Sequence, residues 1–287
     1  MLCLQALKKL IVVTGPTASG KTDLAIKLAL EHDTEIISAD SRQIYKGIPI
    51  VTAVPDLSQR AGVTHHLMEA LPLDAYYSAA MFEEDALKIA RSIWQRRDVA
   101  VVCGGSMMYV DALVKGIDEL PTVPDSIRLP LMEEWRANGD DWLRDRLKAL
   151  DPEYYAIVDR ANMKRVFHAV EICLAAGTTY SSLRTGKKKD RDFEIEKIVI
   201  DMPREQLFDR INRRVLSMVD RGLEEEARRV YPLRHLNSLN TVGLKEMFAY
   251  FDGEMDRDTA IARIQKNTRV YAKKQLTWLK KEKGNNG

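Results

Sequence analysis

Eight residues, Gly15-Pro16-Thr17-Ala18-Ser19-Gly20-Lys21-Thr22, leave this chain little choice of architecture. Gly, four residues, then Gly-Lys-Thr is the phosphate-loop pattern: the glycines let the backbone curl so that successive N–H groups and the start of the next helix converge on an anion. Lys21 supplies a compact positive charge to phosphate oxygens, and the Thr22 hydroxyl suits Mg²⁺. Residues 10–14 before the loop are apolar and β-branched and read as a buried strand. Residues 22–31 after it set Leu24, Ile26, Leu28 and Leu30 among helix formers. With average composition the pattern arises by chance in about one chain of this length in a hundred. A glycine turn carrying a solvated lysine is therefore the weaker alternative.

The alternation continues. Residues 35–39 read as a second strand, residues 78–94 as a helix through Met81, Phe82, Leu87, Ile89 and Ile93, and residues 99–103 as another buried strand that runs into Gly104-Gly105. Strands alternating with helices predict a parallel sheet covered on both faces. Near Gly116 the pattern changes: residues 118–130, with their prolines, read as a linker, and residues 131–176 as amphipathic helix that Gly177 caps. Residues 184–192 form a charged loop, residues 193–202 return as a strand, and residues 204–231 and 256–283 are helical. The expected class is α/β, a P-loop NTPase-like parallel sheet core with an inserted helical domain. The core takes residues 1–117 and 193–287, and the insertion residues 118–192.

Composition narrows the setting. The 287 residues are 45% hydrophobic and 30% charged, with 44 Lys and Arg against 42 Asp and Glu, and no apolar run approaches the ~18 to 20 residues of a membrane span. The apolar stretch within residues 1–13 is too short for a signal-peptide core. Cys3, Cys103 and Cys173 are isolated, without metal-ligand spacing, so a soluble protein of a reducing cytoplasm is expected. The net charge of +2 is uneven: residues 261–287 hold Arg263, Lys266, Arg269, Lys273, Lys274, Lys280, Lys281 and Lys283 against Glu282, a local +7. Such a segment suits a nucleic-acid footprint, or is simply a solvated basic helix.

The loop alone does not say whose phosphates it holds. An ATPase adds a second acid for Mg²⁺ at the end of another strand, whereas residues 99–103 run into Gly104-Gly105-Ser106. A carboxylate follows the second strand instead, at Asp40 in Ser38-Ala39-Asp40-Ser41-Arg42-Gln43. Ligands of a parallel sheet collect at the carboxyl ends of its strands, so Asp40 and Ser106 are expected to face the loop across one crevice. Asp40 there suits a general base; its alternative is a helix cap.

These segments, with Thr64-His65-His66-Leu67, Gly104-Gly105-Ser106-Met107-Met108-Tyr109, Val242-Gly243-Leu244-Lys245-Glu246 and Thr268-Arg269-Val270-Tyr271-Ala272-Lys273-Lys274-Gln275-Leu276-Thr277-Trp278, occur in an order that resembles the tRNA dimethylallyltransferases over nearly the whole chain. The resemblance implies transfer of a dimethylallyl group from dimethylallyl diphosphate to N6 of the adenosine 3′ of a tRNA anticodon. It implies that Gly15, Thr17, Ala18, Ser19, Gly20, Lys21 and Thr22, with Arg210 and Arg214, hold the donor diphosphate, and that Thr22 holds Mg²⁺. Asp40 would take the proton of the adenine amine, with Lys21 and Ser106 as further catalytic groups. Asp40, Ser41, Arg42, Gln43, Ser106, Arg128, the segment Lys164-Arg165-Val166-Phe167-His168, and Lys273 and Lys274 would contact the anticodon stem-loop, clasped by insertion and core. A monomer is expected.

The chain departs from the family's pattern at Val54, where Lys is usual, at Lys164 and His168, usually Gln and Arg, at Leu244, often aromatic, and at Ser106, usually Thr. A small-molecule kinase using ATP, a prenyltransferase of free adenine nucleotides and a catalytically idle RNA-binding protein are the alternatives. His65 and His66 read as a hydrogen-bonded structural pair, Tyr271 and Trp278 as core anchors of the last helix, and Cys103 as inert packing.

Overall fold

The computed structural model describes residues 7–284, with side chains to residue 281, so Cys3 and the side chains of Glu282 and Lys283 lie outside the described residues. The chain divides into two units, one from Met1–Lys115 and Asp190–Gly287, the other Gly116–Lys189. The first begins with β1 (Lys9–Thr14), α1 (Lys21–Glu31), β2 (Ile36–Ser38), α2 (Pro49–Thr52), β3 (His65–His66), α3 (Ala79–Trp94), β4 (Val99–Gly104) and α4 (Met107–Lys115). The second holds α5 (Asp125–Leu150), α6 (Pro152–Ile157), α7 (Met163–Ala176) and α8 (Tyr180–Leu183). The chain then returns to the first unit with β5 (Glu194–Val199), α9 (Arg204–Asp220), α10 (Leu223–Val230), α11 (Leu244–Phe251) and α12 (Arg257–Gly284).

Among the described residues the sheet has five parallel strands in the order β3-β2-β4-β1-β5. β1 sits between β4 and β5, with Val12 opposite Val102 on one side and Lys197 on the other. Its run of apolar residues follows from burial on both faces. Leu10 and Val12 join Phe82, Ala86, Val110 and Leu113, whereas Ile11 and Val13 face Ala25, Ile26 and Ala29. The α/β class and phosphate-loop architecture are those the sequence predicts.

Several elements differ from expectation. α5 starts at Asp125, inside the stretch read as linker: Pro124 stands at its N-cap and Asp125 supplies first-turn negative charge. Pro130, taken as a linker residue, sits within the helix, where its missing N–H costs one backbone bond. The helix expected over residues 204–231 breaks at Gly222 (φ 95°) into α9 and α10. β3 is too short to show a period of its own, and α11 adds a helix beyond those expected, with Leu244, Met247, Phe248 and Phe251 at helical spacing. His65 and His66 are hydrogen-bonded as read, His65 Nδ1 at 2.9 Å from the Val63 carbonyl and His66 Nε2 at 2.6 Å from Glu35.

The helical unit packs its own core of Leu131, Leu143, Leu147, Tyr154, Val166 and Val170. Two carboxylates are buried in it. Asp151, fully buried, accepts the Tyr154 N–H (2.9 Å), the Ser181 N–H (2.7 Å) and the Ser181 hydroxyl (2.8 Å). Glu171 accepts Arg128 through both oxygens (2.8 and 3.1 Å) and lies 2.9 Å from His168 Nδ1. Gly177 (φ 65°) caps α7, as its sequence position predicts.

Candidate active site

The phosphate loop leaves β1 and enters α1. Ala18 (φ 64°) and Gly20 (φ 92°) take left-handed backbone, which curls the loop just ahead of α1. At Gly15 a Cβ would stand 2.9 Å from Ser19 Oγ and 3.1 Å from the Ile200 carbonyl, so a side chain there would force its neighbours to shift. Lys21 Nζ folds back onto the Pro16 carbonyl at 3.0 Å. Burial pulls the Lys21 ammonium below its ordinary value; Cys103 opposes this, Arg214 reinforces it and Asp40 opposes it. Burial likewise lowers Arg214, partly offset by Asp40. Arg214 Nη1 lies 3.4 Å from the Thr17 hydroxyl.

Asp40 follows β2 at the carboxyl end of the sheet. Its Oδ1 accepts the N–H groups of Arg42 (2.9 Å) and Gln43 (3.2 Å), so it caps a turn and lines the crevice at once. Gln43 Nε2 donates to the carbonyls of Thr52 (3.0 Å) and Ala53 (3.1 Å). Arg42 Nη1 donates to the carbonyls of Asn237 (2.8 Å) and Ser238 (3.0 Å), which commits part of the guanidinium to a turn of the protein itself. The Ser106 hydroxyl, expected to face the crevice, is engaged by the acid-bearing segment. That hydroxyl accepts the Ser41 N–H at 2.8 Å and donates to Ser41 Oγ at 3.1 Å, bracing the acid-bearing segment. Gly105 faces the crevice instead. At Gly104 a Cβ would collide with the Ala39 carbonyl, which is why β4 ends on glycine beside β2.

One cavity of about 380 Å³ joins these groups. Thr17, Lys21, Thr22 and Arg214 stand on its phosphate-loop side, and Val51, Ile211, Val215, Met218 and Val242 form an apolar wall. Among its lining residues Lys21, Arg42, Arg214 and Lys245 outnumber the single carboxylate of Asp40, the balance an anionic ligand requires. Arg210 does not line it; with Arg213 it lines a more open cavity of about 710 Å³ that shares Lys21, Thr22 and Arg214. Thr22 brings a hard hydroxyl oxygen to both cavities and Asp40 a carboxylate to one. That donor set fits Mg²⁺ bound chiefly through ligand and water oxygens. Burial pushes the Cys103 thiol up to about 11, consistent with inert packing beside Lys21.

Sequence reasoning missed three residues here. Gln275, 3% exposed, accepts the Thr17 N–H through Oε1 (2.8 Å) and donates to the Gly105 carbonyl through Nε2 (2.8 Å). Tyr271, expected as a core anchor, is 38% exposed and lines the cavity. Trp278 keeps the anchoring role, its Nε1 donating to Asp111 at 2.8 Å. Glu226, 2% exposed on α10, accepts the Ile50 (2.9 Å) and Val51 (2.8 Å) N–H groups. Gln275 and Tyr271 stand four residues apart in a quoted motif; Glu226 leaves no local signal.

In the helical unit Lys164, Arg165 and His168 are exposed and Phe167 is half-buried against Trp135. Val166 is fully buried in that unit's core, so its side chain has no surface to offer an RNA; helical spacing turns it inward. Arg128 is engaged by Glu171. Lys273 and Lys274 are exposed on α12, with Lys273 Nζ 5.6 Å from the Phe208 ring centre.

The family model described as IPP transferase matches residues 43–282. The tRNA dimethylallyltransferase 1 of Phocaeicola vulgatus is 51% identical over 274 residues, covering 96% of this chain and 91% of that protein. The protein of the same name from Bacteroides fragilis is 50% identical, with coverage of 96% and 91%. Among solved structures, the tRNA isopentenylpyrophosphate transferase of Staphylococcus epidermidis matches with TM-score 0.67 and 31% identity over 95% of this chain and 90% of that one. A eukaryotic dimethylallyltransferase described as acting on tRNA gives TM-score 0.79 at 26% identity over 95% and 70%. With a family model that spans most of its length and relatives half identical along nearly all of it, the chain belongs to the IPP transferase family, the tRNA dimethylallyltransferases.

Proposed function

We propose that this protein transfers the dimethylallyl group of dimethylallyl diphosphate to N6 of the adenosine at position 37 of tRNA, 3′ of the anticodon, releasing diphosphate. The observation that carries the reading is the single cavity shared by the phosphate-loop cations, Asp40 and an apolar wall. The diphosphate lies on the amides of residues 20–22 at the start of α1 with Lys21 and Arg214, and the five-carbon chain lies along Val51, Val215 and Met218. As the N6–C1 bond forms and the C1–O bond breaks, negative charge grows on the leaving oxygens. The loop amides, Lys21 and Arg214 stabilise it where it develops. Asp40 orients the adenine amine and accepts its proton. Both backbone bonds to Asp40 fall on Oδ1, which supports Oδ2 as the oxygen that receives the proton.

Mg²⁺ would be held by the Thr22 hydroxyl with diphosphate and water oxygens. It supplies countercharge to the leaving group. Flipping the adenine out of an anticodon loop brings it to Asp40 at lower cost than from a duplex. Lys164, Arg165, Phe167 and His168 of the helical unit, and Lys273 and Lys274 of α12, serve as tRNA contacts. We assign the protein to the cytoplasm and treat it as a monomer; no helix among the described residues is long and apolar enough to cross a membrane.

Incubation with labelled dimethylallyl diphosphate and either unmodified tRNA or AMP tests the reading. Label is expected on tRNA, while label on AMP alone, or phosphoryl transfer from ATP to a small acceptor without prenyl transfer, refutes it. Asp40→Asn keeps an oxygen for the two backbone bonds and should slow transfer by about 10² to 10⁴-fold. Normal turnover by that variant refutes the role given to Asp40.

A further inference from the structure

Glu226 is a buried carboxylate near the cavity, engaged through both oxygens, that the chemistry above leaves without a role. It is 2% exposed, arrives from α10, and gives each oxygen to one amide of α2, Oε2 to Ile50 at 2.9 Å and Oε1 to Val51 at 2.8 Å. A charge that deeply buried is retained only with such bonds. The segment it holds is the cavity wall, since Val51, Thr52 and Ala53 all line the cavity. Val51 cannot retreat on the other side, because its Cγ2 rests against the Gly243 backbone so closely that a Cβ there would collide with it. Ala53 stands at φ 51°, in the left-handed region a side chain rarely adopts, so its conformation must be imposed by its surroundings.

We infer that Glu226 is a positioning residue that sets the depth of the apolar wall at Val51, and through it the length of the allylic chain the donor site accepts. The inference rests on the prenyl-transfer reading above. The carboxylate fixes the α2 backbone, Gly243 stands close against the Val51 side chain, and Val51 is thereby set in the wall along which the donor chain lies. The same clamp holds the Thr52 and Ala53 carbonyls that receive Gln43 beside Asp40.

The test compares wild type, Glu226→Gln, Glu226→Asp and Val51→Ala on one tRNA with a five-carbon donor, dimethylallyl diphosphate, and a ten-carbon donor, geranyl diphosphate. Glutamine presents an NH₂ to one of the two amides, and aspartate draws both acceptors back. The ratio of kcat/KM for the ten-carbon over the five-carbon donor should rise at least about tenfold in all three variants, while tRNA affinity is unchanged. That ratio does not depend on the active fraction, so a merely structural loss leaves it where it was. An unchanged ratio in Val51→Ala, or in either folded Glu226 variant, overturns the proposal. If neither Glu226 variant folds, amide exchange in the wild type decides: Ile50 and Val51 protected as strongly as α10 support the clamp, and exchange as fast as that of an exposed loop overturns it. Absence of prenyl transfer from either donor by the wild type would fail the functional reading instead, and the exchange measurement would still decide the clamp.

Discussion

Gln275 satisfies both ends of its amide at once, taking an N–H from the phosphate loop and giving one to the loop after β4, so one buried side chain fixes the spacing between two walls of the crevice. At Gly105 a Cβ would stand 2.5 Å from its Nε2, which leaves no alternative approach. Gln275→Ala strands the Thr17 N–H and the Gly105 carbonyl and should cost about 1 to 3 kcal/mol of stability. It should also raise the donor KM while tRNA affinity is retained. Thermal melts with steady-state kinetics check this, and a variant with the wild-type melting temperature and donor KM would remove Gln275 from the loop's support. Such residues mark where reading the sequence stops. Lys21, Thr22 and Asp40 announce themselves because their chemistry is written within a few consecutive positions. Gln275 meets its partners across 258 and 170 residues and Glu226 across 176 and 175, and no window of sequence holds both halves of those contacts.

Among the elements, β1, α1 and β4 were legible because burial on both faces demands unbroken apolar runs, and α7 because its cap is a glycine at the required place. α5 was obscured by prolines at both ends of its first turns. β3, two residues long, takes its identity from pairing with β2 rather than from its composition. The α6–α8 corner turns on Asp151. Burial alone would raise its pKa, but the Tyr154 and Ser181 amides and the Ser181 hydroxyl outweigh that and hold the carboxyl below its ordinary value. A depressed carboxylate pKa contributes stability above the unfolded value, about 3.9, and loses it as pH falls through the folded one. Glu171, lowered by His168 and Arg128 against burial, acts in the same direction. The helical unit should therefore lose stability below about pH 4. Asp151→Asn should destabilise it at neutral pH by about 1 to 3 kcal/mol and flatten part of that acid slope. Melts from pH 3 to pH 7 check this, and an unaltered slope refutes the contribution assigned to Asp151.

Across the whole molecule the small net charge hides a division of labour. The cavity gathers cations around one carboxylate, and α12 turns Ala260, Ile264, Ala272, Gln275 and Leu279 inward while presenting Lys266, Lys273, Lys274, Lys280 and Lys281 outward. A helix buried along one side for architecture is thus free to carry charge along the other. If Lys273 and Lys274 each meet a phosphate, replacing both with Ala should make the slope of log K for tRNA against log salt shallower by about 1.4 to 1.8. An unchanged slope would return them to solvated surface.

The path of the chain through its sheet has a consequence for synthesis. β1 is bordered by β4 on one side and by β5 on the other, yet β5 follows β4 only after the 89 residues 105–193, most of them in the helical unit. On a ribosome adding 5 to 20 residues per second, one side of β1 has no partner for roughly 5 to 18 s. An unpaired strand edge is a template for association with other chains. The nascent protein therefore passes through an interval in which its own donor-binding loop hangs from an open edge, and chaperones that cover such edges would act on it then.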